Sequence, residues 1–144
     1  MSHAIDANVL LYASDASSAF HEPALAFLRR CAEGPELLYV PWLVVMAYLR
    51  IATHPAIFGR PLSPAEAMGN VESLLQRPNV RTLGENDGFW EVYRQVTSRV
   101  LVRGNFVPDA HLAALLIQNG VTMVWTHDRD FQKFPGIRVR DPFE

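Results

Sequence analysis

A chain of 144 residues fits one domain, 1–144, long enough to bury a core and too short for two. Its 49% hydrophobic and 19% charged content excludes a disordered or collagen-like chain. The net charge of −2 argues against a broad basic footprint for nucleic acid, so any polyanion has to meet a local patch.

The N-terminal segment, MSHAIDANVLLYASD, lacks a basic n-region and carries Asp6, so it makes a poor signal peptide and reads instead as the first strand of the fold, with a short strand ending at Ala4 and Ile5. Phe20, Ala24, Phe27, Leu28 and Cys31 fall at helical spacing and predict an amphipathic helix that stops near Gly34. Cys31 is the single cysteine, which excludes an internal disulfide and a Cys-based zinc site; it reads as a small buried helix residue and fits a reducing cytosol. A short strand, Leu37 to Val40, follows. Pro41 suits a first helical position, and WLVVMAYLRIATH is apolar on nearly every side, which predicts a helix buried in the core or at a dimer interface. No apolar stretch reaches the roughly 18 residues of a membrane span, because Val40 to Tyr48 is interrupted by Pro41 and soon followed by Arg50.

Ser63, Pro64 and Glu66 form an S-x-x-E capping box, and Ala67, Val71, Leu74 and Leu75 supply the buried face of the helix it starts. Asn79 to Leu83 reads as another short strand. Phe89, Val92, Tyr93, Val96 and Val100 mark the next helix, closed by Gly104. Pro108 begins a further one, with Leu112, Leu115 and Leu116 facing inward and Gly120 at its end. Val121 to Thr126 is continuous and apolar, as a central parallel strand is, and Ile137 to Arg140 reads as an edge strand. Strands alternating with helices imply an α/β sandwich around a mostly parallel sheet.

Isolated acids stand beside these elements. Asp6 follows the first strand, Asp109 lies in the first turn of a helix, and Asp128 and Asp130 follow the strand that ends at Thr126. Each has a local reading, because aspartate caps helices well and the macrodipole favours negative charge in a first turn. Taken together they point elsewhere, since the carboxyl ends of parallel strands share one edge, where ligands and ions bind. Two unit charges about 4 Å apart repel by roughly 4 kcal/mol at an effective dielectric near 20, so a converged cluster takes up protons or binds a cation. All-oxygen ligands favour Mg²⁺ or Mn²⁺ over zinc. Such an ion activates water for in-line attack on a phosphodiester, which is nuclease chemistry.

The segments IDANVLLYA, YLRIATHP, GNFVPDAHLAAL and THDRDF…RVRDPF, in this order and over almost the full length, closely resemble the PIN-domain ribonucleases, specifically the VapC-like toxins of bacterial toxin–antitoxin pairs. The resemblance implies a three-layer αβα sandwich and Mg²⁺- or Mn²⁺-dependent endoribonuclease activity on RNA, often tRNA. It also implies a frequent homodimer and inhibition by a cognate antitoxin protein. On this match Asp6 is similar to the family's first acid, Asp109 to its third and Asp128 to its fourth; Asp130 matches a second acid of the same loop. Asn8 and Thr126 fall where small polar neighbours orient ligands or metal waters. One position departs: where the family carries a glutamate on its second helix, three residues before an arginine, this chain has Ala47 before Arg50. Either three or four aspartates suffice, or another glutamate substitutes, or this copy is weakened.

Arg50, Arg103 and Arg129 are the candidates for RNA phosphate contact, with a solvated or salt-bridged arginine as the plainer reading of each. The basic residues are skewed to arginine, Lys133 being the only lysine among 13, although genome composition produces the same skew. His111 and His127 flank the acids and read as hydrogen-bonded structural histidines. Trp42, Trp90 and Trp125 lie in apolar runs, which favours core packing over base stacking. Two rivals remain. A dehalogenase-like phosphatase or receiver domain also places an aspartate after its first strand, but has only Lys133 to draw on. A PIN-like protein that binds RNA or an antitoxin without cutting would follow from Ala47.

Overall fold

The computed structural model describes residues 2–129, 131 and 134–144. Strand β1 (His3–Ile5) is buried along its whole length and ends at Asp6. The next eight residues form helix α1 (Ala7–Ser14), not a continuation of the strand. The backbone of Asp6 is still extended while its carboxylate accepts the amide of Ala7 at 2.6 Å, so the acid stops the strand and opens the helix. The run VLLYA is apolar throughout, and periodicity alone does not separate a buried strand from a buried helix in so short a stretch.

Helix α2 (His21–Glu33) ends at Gly34 as expected, and β2 (Leu38–Tyr39) follows. Helix α3 (Trp42–Ala52) begins one residue later than predicted, with Pro41 as its N-cap. It buries Val44, Val45, Tyr48 and Ala52 but turns Trp42 and Met46 outward, 46% and 56% exposed. Helix α4 (Pro64–Leu75) carries both bonds of the capping box: Glu66 N–H donates to Ser63 Oγ at 3.1 Å, and Ser63 N–H donates to Glu66 Oε1 at 3.2 Å. Strand β3 (Val80–Arg81) leads to helix α5 (Phe89–Val96). That helix stops short of Val100, because the Thr97 hydroxyl donates back to Tyr93 C=O at 2.9 Å and Ser98 to Gln95 C=O at 2.8 Å.

A single 3₁₀ turn (Gly104–Phe106) precedes α6 (Val107–Gln118), whose Leu112, Leu115 and Leu116 are buried. Gly120, at φ +72°, supplies the left-handed residue that ends it. Strands β4 (Met123–Trp125) and β5 (Arg138–Arg140) complete a five-stranded sheet in the order β3-β2-β1-β4-β5, parallel at every pairing. Ile5 stands opposite Trp125, and Arg138 to Arg140 form the exposed edge.

From β1 the chain moves outward to β2 and β3, then returns across the sheet to β4 and β5. Parallel crossovers are right-handed, so the reversal puts α1 to α4 on one face and α5 and α6 on the other, giving three layers. The helix contacts agree, since α1 packs on α2 and α3, α3 on α4, and α5 on α6. Two tryptophans depart from the expected core packing: Trp42 opens α3 on its outer side, and Trp90 is 68% exposed, stacked on Tyr93 one turn on. Trp125 alone is half-buried.

Candidate active site

Strand order reverses between β1 and β4, and in open parallel sheets the crevice beyond the carboxyl ends at such a point is where ligands bind. Asp6 leaves the end of β1, and Thr126 leaves the end of β4. Helix α6 feeds β4 and runs antiparallel to it, so its first turn, with half-buried Asp109, returns to the same edge.

Thr126 is buried, and its hydroxyl joins its own loop to the start of α1. It donates to Asp6 Oδ2 at 3.0 Å and accepts from Asn8 Nδ2 at 3.1 Å and from the backbone N–H of Asp128 at 3.0 Å. A hydroxyl has one proton and two lone pairs, so these bonds use it fully. They also fix the Asn8 amide: with Nδ2 turned to Thr126, Asn8 Oδ1 is buried and has no hydrogen-bond partner among the described residues. An oxygen donor of this kind fits the ligand set of a hard cation.

The charge balance points the same way. Burial pushes the Asp6 carboxyl above the usual carboxylate range, the bonds from Thr126 and Ala7 oppose that rise, and the nearby Asp128 charge adds to it. Asp6 and Asp128 therefore feel each other. Among the described residues no three His, Cys, Asp or Glu side chains stand as a metal-binding group, and Asp130, the fourth expected acid, lies outside the described residues.

Ala47 is half-buried on α3, packed against the core, where the resemblance expected a glutamate. The helix counts as third because α1 precedes α2. Arg50 is exposed near its far end, roughly 12 Å along from its start at 1.5 Å per residue. Arg103 is exposed just before the 3₁₀ turn that leads into α6. Arg129 follows Asp128 but turns to Glu144, 3.8 Å away, with both side chains mostly in solvent.

Both histidines are held structurally. His111 is hydrogen-bonded through Nε2 to Glu85, whose carboxyl that bond keeps below its ordinary range. His127 Nδ1 lies 2.7 Å from Asp141 Oδ2, and its ring sits among Tyr12, Phe20 and Phe143. Asp141 also accepts the Phe143 N–H at 2.9 Å, so the C-terminal segment fastens the loop that carries Asp128. Asp141 was not among the sequence candidates; the quoted RVRDPF segment contained it, but nothing in its spacing tied it to a histidine 14 residues earlier.

No protein-family model matches the chain. It is 50% identical over 143 residues to Ribonuclease VapC48 of Mycobacterium tuberculosis, covering 99% of each protein. Among solved structures it is similar to VapBC2 from Rickettsia felis bound to a DNA fragment from their promoter, with a TM-score of 0.71, 14% identity and 98% of each chain covered. It also resembles Mycobacterium tuberculosis VapC20, a sarcin–ricin loop cleaving toxin, with a TM-score of 0.66 and 18% identity over 94% of this chain and 98% of that one. At such identities the two structures speak to the fold.

Proposed function

The chain belongs to the VapC family of ribonucleases, and from that premise we propose that it is an endoribonuclease toxin acting as one domain over 1–144, neutralised by a cognate antitoxin. The observation that carries the assignment of the site is the Thr126 hydroxyl, which ties the half-buried Asp6 to Asn8 and to the backbone of Asp128. The bonds from Thr126 to Asp6 and from Asn8 to Thr126 span 120 and 118 positions, and no local cap requires the two stretches of chain to meet.

Asp6, Asp109 and Asp128, with Asp130, would hold Mg²⁺ or Mn²⁺, whose bound form supplies an activated water and shields the charge on the leaving oxygen. An all-oxygen donor set and the open Asn8 Oδ1 suit such an ion. Thr126 keeps Asp6 and the Asp128 loop in one geometry, while the His127–Asp141 bond anchors the next residue of that loop. Ala47 leaves the acid set smaller by one. Since Mg²⁺ keeps several waters and takes few carboxylates, the remaining acids suffice for a first ion, and a second ion suffers more.

The reading includes a homodimer, supported by the exposed apolar residues Trp42 and Met46 on α3, and a cytoplasmic location, supported by RNA as the substrate and by the free Cys31. No helix among the described residues is long and apolar enough to cross a membrane. A binder that no longer cuts is the second reading, and Ala47 is the observation that favours it. Mapping new 5′ ends in mixed cellular RNA, with and without Mg²⁺, separates the two. An enzyme makes Mg²⁺-dependent ends that vanish in Asp109→Asn; a binder retains RNA and makes none.

A further inference from the structure

Beside Asp128 lies an open cleft of about 540 Å³, within the size range of ligand sites. Thr126, Asp128, Arg129, Arg140 and Glu144 line it, with Trp125 behind. Arg140 belongs to the edge strand β5, is exposed, and has no carboxylate partner among the described residues. Its guanidinium carbon sits 5.9 Å from the centre of the Trp125 ring. That ring is itself fixed, because its Nε1 donates to His3 Nδ1 at 2.6 Å and Phe27 packs against it edge-on at 4.9 Å. A guanidinium held over a fixed aromatic face keeps its planar fork while losing little freedom on binding an anion.

Arg129, on the same cleft, already holds an anionic group. The Glu144 carboxylate lies 3.8 Å from it, and both side chains are largely exposed, so this pair is weak and readily exchanged. Asp141 is engaged by His127 and by the Phe143 N–H, which leaves it little call on either arginine. The cleft thus offers two guanidinium groups next to an acid of the cutting site, one without a carboxylate partner and one resting on a replaceable carboxylate.

We infer that this cleft is the subsite for the phosphate adjoining the scissile one in a single-stranded RNA, with Arg140 and Arg129 as its donors and Glu144 as the stand-in anion on Arg129 in the free protein. The inference rests on the RNA-cutting reading above and adds Arg140 to the binding residues. Contacts of this kind set register along the strand and carry no base preference.

The test uses the full chain carrying Asp109→Asn, and measures binding of a fluorescent single-stranded RNA oligonucleotide by anisotropy over a range of salt. Arg140→Gln should weaken binding about tenfold and reduce the slope of log affinity against log salt by about 0.7, the value for one phosphate contact on a single strand. Arg140→Lys should restore part of the affinity. Glu144→Gln should tighten binding roughly two- to fivefold. In the cleaving protein, the Arg140→Gln loss should fall on KM rather than kcat.

Unchanged affinity and slope in Arg140→Gln, or an equal loss toward a DNA duplex of the same length, overturns the subsite. If the unmodified chain cuts RNA while Arg140→Gln keeps its KM, the subsite is wrong and the enzyme reading stands. If the Asp109→Asn protein binds as described but the unmodified chain cuts nothing, the enzyme reading fails, and the cleft stands as an RNA phosphate site with no scissile bond beside it.

Discussion

The two ends of β1 bury polar side chains in opposite ways. At its start, His3 is buried and its Nδ1 accepts the indole N–H of Trp125 at 2.6 Å; indole only donates, so the neutral ring keeps its proton on Nε2, which points to Glu36 at 3.9 Å. That end is closed. At the other end Asp6 is pushed toward protonation by burial and by Asp128, and Asn8 keeps a buried oxygen with no partner among the described residues. Both ends lie on the same three-residue strand in the same core, so depth alone does not explain the contrast. The His3 ring is satisfied by its neighbours, whereas the Asp6 carboxyl bears a cost that a bound cation would remove.

The sharpest way to break this contrast is Asp6→Asn. Cleavage should fall by about 100-fold or more, beyond the usual loss for a supporting residue. Stability should move the other way. The folded pKa of Asp6 lies above its unfolded value, so the ionised carboxylate at neutral pH opposes folding, and a neutral amide should raise Tm in metal-free buffer. A lower Tm would show that the carboxylate is structural.

Thr126→Val should come next. It strips Asn8 Nδ2 and Asp128 N–H of their acceptor and Asp6 of its donor. The expected losses are about 10- to 100-fold in cleavage and about 1 to 3 kcal/mol in urea denaturation. Thr126→Ser should keep most of both. Ala47→Glu should raise Mg²⁺-dependent cleavage several-fold if the acid set is one short, and initial rates at saturating RNA read this directly. An unaltered rate would show that the missing carboxylate limits nothing.

The smallest effect belongs to the His3 end. Burial holds the His3 pKa below its ordinary value, so the unfolded chain takes up the proton first. Its contribution is complete above about pH 6.5 and is lost as the pH falls toward the lower folded value. Urea midpoints should therefore drop between about pH 7.5 and pH 5.5. In His3→Asn this component of the drop should vanish, at an overall cost of about 1 kcal/mol near neutral pH.

Much of the scaffold was legible because its signals are local. Ser63 with Glu66 starts α4, Gly34 ends α2, Gly120 ends α6, and the apolar run before Thr126 makes an interior strand. The same locality accounts for the errors. VLLYA is apolar in every direction, so its helix became visible only through the Asp6 cap, and α5 stops at Val96 because of two side-chain hydroxyls that hydrophobic spacing ignores.

Exposure of Trp42 and Trp90 depends on which way each helix face turns, a property of packing that apolar composition does not encode. At the site, Asp6, Asp109 and Asp128 could be picked by their places after strands and in a first helical turn. The bonds that hold the site, Thr126 to Asp6 across 120 positions and His127 to Asp141 across 14, required the fold.

The central claim is that acids far apart in sequence share one divalent ion. Calorimetric titration of the full chain with Mn²⁺, alongside Asp6→Asn, Asp109→Asn and Asp128→Asn, tests it most directly. The account predicts saturable binding that each single substitution weakens strongly while the circular dichroism of the fold is kept. Binding indifferent to Asp109→Asn, or to either of the others, would contradict it.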